Sequence, residues 1–197
     1  MSQAHAIDPA EPAIPTVYNG KLAMWLFLCS EVMFFAGLLG AYIALRSGDS
    51  ARFHDGYKAL HDHVGLAAFN TILLISSSLT MAMAVLRGQQ KQTGQQRMFL
   101  LLTAAMGTLF LVLKGVEYSH HFHHNEYPNT DVFFAFYYTL TGLHGFHILC
   151  GVIPIMGLWG FAKNKDVSHE TEMVGLYWHF VDLVWIFLFP LLYLIPA

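Results

Sequence analysis

Glu31 stands inside a long apolar run, with Phe27, Leu28, Phe34 and Phe35 three and four positions away. Apolar surroundings favour the neutral form of a carboxyl group, which can hold or pass a proton. His179 and Asp182 lie three apart in a second apolar run, and His144 and His147 lie three apart in a third. Lys114 and Glu117 repeat that spacing in a fourth. Residues three apart share a helix face, so each pair presents its polar atoms together. Asn70 opens a polar seam with Thr71, Ser76, Ser77, Ser78 and Thr80. Two readings stand for these groups. They are hydrogen bonds that fix one helix against another, or they handle protons. Lys114 and Glu117 read as a structural ion pair near a membrane boundary.

Histidine is also a metal ligand. His120, His121, His123 and His124 crowd one short segment, and His54, His61 and His63 another. Neither segment has a companion cysteine, and both read as interfacial histidines with no bound metal. Haem is tested by the same logic. His144, His147 and His179 are too few and too closely spaced to ligate stacked haems between two helices. Phosphate-binding and dinucleotide-binding glycine loops are missing from the sequence. No catalytic residue and no metal or cofactor of its own is therefore expected for this chain.

The elements that must position these residues follow from composition. Of 197 residues, 55% are apolar and 12% charged, against about a quarter charged in a soluble domain. Mean hydropathy is +0.47. Ten basic residues and a net charge of −3 exclude a nucleic-acid binder. Cys29 and Cys150 both fall in apolar runs, so no disulfide framework is indicated. A membrane helix needs about 20 mostly apolar residues. Five stretches qualify, at 22–45, 64–86, 98–118, 132–161 and 174–195. The fold class predicted is an all-α bundle of five transmembrane helices. Residues 1–20 read as an extended cytoplasmic tail, and 21–197 as one membrane domain. Pro154 and Pro190 fall inside spans and free the carbonyls of Cys150 and Ile186. Glycines at 142, 145 and 151 allow close helix contacts. Trp178 and Trp185 lie seven apart and read as a stripe facing another protein or lipid.

With the N-terminus inside, Lys21, Arg87, Lys91, Arg97, Lys163 and Lys165 are cytoplasmic, and Arg46, Arg52 and Lys58 lie outside. That bias predicts a cytoplasmic N-terminus and an outer C-terminus. Glu31 then sits roughly 13 Å deep at 1.5 Å per residue, with Asp182 at a similar level. A grouping of Glu31, His179 and Asp182 is therefore expected. A proton-coupled transporter would show internal repeats, and five spans of unlike sequence do not.

Five segments, in order, resemble subunit III of the haem-copper respiratory oxidases, in the short five-span bacterial form. They are Ser30-Glu-Val-Met-Phe-Phe35, Asn70-Thr71 with Ser76 to Thr80, Glu117-Tyr118, Gly142-Leu-His-Gly-Phe-His147 with Gly151, and Tyr177-Trp-His-Phe-Val-Asp-Leu-Val-Trp185. The resemblance implies a non-redox subunit in a bacterial plasma membrane. It implies partners: the catalytic haem-copper subunit I, other oxidase subunits and membrane lipids. Haem and copper would belong to those partner subunits. The complex would reduce oxygen to water and pump protons, and this chain would stabilise the catalytic subunit and sustain proton uptake. Ser30-Glu31 and Lys114-Gly-Val-Glu-Tyr118 are more similar to cytochrome c oxidases. A quinol oxidase subunit and an accessory of nitric oxide reductase are the alternatives. The resemblance begins at what would be the third helix of the seven-span form. That form's phospholipid-filled cleft would need helices from elsewhere.

Overall fold

The computed structural model describes residues 19–48, 53, 58, 60, 64–123, 127 and 131–195. Five helices in it are long and apolar enough to cross a membrane. They are α1 (Asn19–Gly48), α2 (Val64–Gln89), α3 (Thr93–His123), α4 (Val132–Phe161) and α5 (Ser168–Phe189). A π-helical turn, Pro190–Leu194, continues α5. No strand occurs among the described residues. α1 and α3 overrun the predicted apolar spans at both ends, α2 at its C-terminal end and α5 at its N-terminal end, because backbone hydrogen bonding does not stop where hydropathy does, while α4 matches its span. Residues 1–18 of the predicted tail, and His54, His61, His63 and His124, lie outside the described residues.

α2 to α5 form a ring in which each helix packs on the next, and α5 closes back on α2. α1 lies outside this ring, against α5. Three cross-links tie the helix ends on one side of the bundle. Lys21 pairs with Glu172 at 2.7 Å, Arg97 donates to the Trp159 carbonyl at 3.1 Å, and the Ser168 hydroxyl stands 2.9 Å from the Gly88 carbonyl. The six basic residues assigned to one side from sequence therefore share one end. α4 continues as one α-helix through Pro154, while at Pro190 the winding becomes π-helical. Ile195 donates to the Pro190 carbonyl at 3.0 Å, and Arg46 reaches from α1 to the carbonyls of Leu191 and Ile195 at 3.1 and 2.6 Å.

Trp178 and Trp185 point into the ring, not outward as expected, and both are fully buried. Each indole N–H explains why: burial requires a partner, and α2 supplies Ser77 at 3.1 Å and Thr71 at 3.0 Å. Trp178 fits only because Gly107 and Gly151 face it. A Cβ built at those positions would lie 2.5 and 2.8 Å from its ring. Gly107→Ala and Gly151→Ala are each expected to destabilise the bundle by about 1–3 kcal/mol through overpacking. Melting of the purified membrane complex measures this, and an unchanged transition for both variants would contradict the packing.

Candidate functional site

Two polar centres emerge. The first is fully inside the ring. Lys114 and Glu117, one turn apart on α3, pair at 3.0 Å. They are 6% and 1% exposed, so the ion pair expected from sequence forms, and it faces the inside of the bundle. Burial of two charges is tolerated only when every polar atom is used. Tyr137 of α4 donates to Glu117 Oε1 at 2.6 Å, and Tyr193 of the π-turn donates to the same oxygen. Lys114 also donates to the Tyr193 hydroxyl at 2.7 Å and stands 4.8 Å over the Trp185 ring. The cluster thus joins α3, α4, α5 and the C-terminal turn. Tyr137 and Tyr193 were not singled out from sequence. Tyr137 shares a face with Thr141 and His144 and was findable by that spacing. Tyr193 gave no signal, since it follows the proline.

The second centre lies between α1 and α4. Glu31 Oε2 stands 3.1 Å from His147 Nε2. His147 Nδ1 lies 2.8 Å from the Leu143 carbonyl. A carbonyl only accepts, so Nδ1 carries a proton. The Nε2–Oε2 bond then needs one further proton, which sits on either atom. A neutral acid facing a neutral imidazole and a carboxylate facing an imidazolium have the same net charge. The pair therefore joins α1 to α4 through one hydrogen bond. It lines an open groove of about 460 Å³ with Met24, Phe27, Cys150 and Tyr177. Tyr177 fixes the groove wall by donating to the His147 carbonyl at 2.9 Å.

The predicted grouping of Glu31 with His179 and Asp182 does not form. His179 Nδ1 instead meets the Ser78 hydroxyl at 2.7 Å, linking α5 to α2. Equal depth along two helices does not fix rotation about their axes, and Glu31 turns toward α4. Asp182 is buried next to Ser78, and its carboxylate oxygens make no hydrogen bond of ordinary geometry. His144 stacks on Trp185 at 5.0 Å and meets Phe110 edge-on at 5.7 Å, with neither ring nitrogen bonded. Asn70 is buried with both amide atoms unbonded. Its neighbours in the seam do bridge helices, as with Thr80 and Thr103 at 2.7 Å. His120, His121 and His123 belong to the last turn of α3 and not to a loop, because the helix continues past its apolar run. Among the described residues, no three His, Cys, Asp or Glu side chains are grouped to hold a metal.

The family model described as cytochrome c oxidase subunit III matches residues 13–196. The chain belongs to that family. It is 39% identical over 177 residues to cytochrome c oxidase subunit 3 of Synechocystis sp. (strain ATCC 27184 / PCC 6803 / Kazusa), covering 86% of this chain and 73% of the relative. It is 32% identical over 193 residues to cytochrome c oxidase subunit 3 of Bacillus subtilis (strain 168), covering 94% and 92%. A third relative, cytochrome c oxidase subunit 3 of Corynebacterium diphtheriae, is 34% identical over 174 residues. Within this subunit III family chain, the five segments that carried the resemblance lie one on each helix. Those on α1 and α4 meet in the Glu31–His147 pair, and those on α2 and α5 meet at Ser78–His179. Tyr118 of the α3 segment bonds Thr141 at 2.5 Å, immediately before the α4 segment.

Proposed function

We propose that this chain is a non-redox membrane subunit of a proton-pumping terminal oxidase with cytochrome c as its electron donor. It packs beside the catalytic haem-copper subunit I, stabilises it, and supports proton uptake from the cytoplasmic side. Haem and copper belong to the partner subunits. The N-terminus is cytoplasmic and the C-terminus outside, in line with the basic end of the bundle.

The observation that carries this reading is the Glu31–His147 pair at the wall of an open groove. A structural pair alone has no need of an opening. One that exchanges its proton with an adjoining subunit or with water does. The exposed face of α1 supports the packing role. Trp25, Leu26, Val32, Met33 and Phe34 all project away from the bundle. The cytochrome c oxidase relatives support the choice of donor.

Removing the chain from the assembled complex tests the reading. The haem absorbance of the remaining complex should be unchanged. Oxygen consumption should begin near the normal rate and then fail several-fold sooner during turnover. Loss of haem absorbance would assign a cofactor role to this chain, and an unchanged lifetime would remove the supporting role.

A further inference from the structure

The turn joining α2 to α3 and the loop joining α4 to α5 meet at the basic end of the bundle. Between them lies a pocket of about 400 Å³ whose lining includes Lys91, Lys163, Lys165, Thr93, Asn164 and Ser168. Its lining is mixed: three lysines, two hydroxyl residues, two amide residues and one acid stand beside Gly88 and Ala162. Lys91 adopts a left-handed conformation, with φ of 56°. An L-residue there is strained, and glycine or asparagine is the usual occupant. The turn nevertheless holds it, through Lys91 N–H to the Gly88 carbonyl at 2.9 Å and Gln92 N–H to the Arg87 carbonyl at 2.9 Å.

One acid also lines the pocket, and one of its two carboxylate oxygens is occupied. Asp166 Oδ1 accepts from the Ser168 amide at 3.0 Å and from its hydroxyl at 2.5 Å, just before α5. Those two bonds hold its carboxyl below the usual carboxylate range. Glu170 forms an exposed ion pair with Lys165 at 3.7 Å, too long for a hydrogen bond, so the Lys165 ammonium keeps its donors. Lys163 has no ion pair among the described residues. The pocket therefore keeps a positive balance with unused donors.

Its position selects the ligand. Phe161, next to lining residue Ala162, is exposed on the apolar side, as are Leu86 and Met98. The Arg97 guanidinium lies 5.0 Å over the Trp159 ring, an aromatic placement typical of the headgroup level. Basic pockets between membrane helices at this level suit anionic headgroups. We propose that this pocket binds a phosphate group, supplied by the headgroup of an anionic phospholipid or by free phosphate. It lies at the ends of α2 to α5, apart from the groove at Glu31, and does not depend on the proton reading.

The test uses the membrane complex purified through a tag on this chain and placed in phosphatidylcholine nanodiscs, with or without phosphatidylglycerol. Lys91→Gln, Lys163→Gln and Lys165→Gln are combined, and a triple Lys→Arg variant is the control. Native mass spectrometry should find one phosphatidylglycerol fewer on the Gln variant than on the wild type, and the Arg variant should keep it. Millimolar inorganic phosphate in lipid-free detergent forms the second arm. Stabilisation of the wild type by phosphate but not by phosphatidylglycerol, lost in the Gln variant, would assign the pocket to the free anion. Equal lipid retention and equal phosphate response in the wild type and the Gln variant would overturn the proposal.

Discussion

Lys114→Ala should cost about 3–5 kcal/mol, because it leaves the Glu117 carboxylate charged, buried and without its cation. Native proteins are stable by only about 5–15 kcal/mol, so the loss is a large fraction of the whole. Three elements depend on this pair. The Glu117 carboxylate holds Tyr137 of α4 and Tyr193 of the C-terminal turn, and Lys114 holds Tyr193 from its other side. The subunit should therefore be largely missing from the purified complex. Glu117→Ala should be as damaging, since it strands the ammonium. The double variant Lys114→Met/Glu117→Leu should recover much of the loss. It removes both charges while keeping volume, and the two tyrosine hydroxyls, 3.3 Å apart, can bond each other. Subunit content and melting temperature read both effects. A double variant no better than the singles would contradict a pair whose cost is one of stranded charge.

Glu31 separates two roles by the choice of replacement. Glu31→Gln keeps the bond to His147, because the amide N–H can donate to Nε2 as a protonated acid would. The amide cannot ionise. Assembly should be normal, while sustained oxygen consumption should fail several-fold sooner, most visibly at high pH where protons are scarce. Glu31→Ala leaves His147 Nε2 unpaired at a half-buried site, which adds about 1–3 kcal/mol of destabilisation. That variant should lose both assembly and lifetime. A Gln variant with the wild-type pH profile, lifetime and proton pumping would leave Glu31 a purely structural residue.

The spans were legible in the sequence because hydropathy sets them, and the bilayer admits few other solutions. Partnership was less legible. Glu31 and His147 are 116 residues apart, and their meeting depends on how two helices rotate about their own axes. Apolar periodicity does not report that rotation in a chain whose lipid-facing side is as apolar as its core. The same ambiguity turned the Trp178–Trp185 stripe outward in the sequence reading. The two glycines that receive Trp178 were the missing clue, since Gly107 and Gly151 leave room for an indole and for little else. Tyr193 was hidden for a different reason. It lies beyond Pro190, where the change to π-helical winding breaks the face relations that an α-helical count assumes.

The membership of this chain in an oxidase complex is tested most directly by its company. The tagged chain is purified from its native membranes in mild detergent and the reduced-minus-oxidised spectrum of the product is recorded. Haem absorbance should appear in fixed proportion to the chain, with oxygen consumption on reduced cytochrome c, and both should be lost from the tag-purified chain when Lys114→Ala weakens its hold on its partners. A chain that purifies in quantity with no haem-bearing partner would contradict that membership.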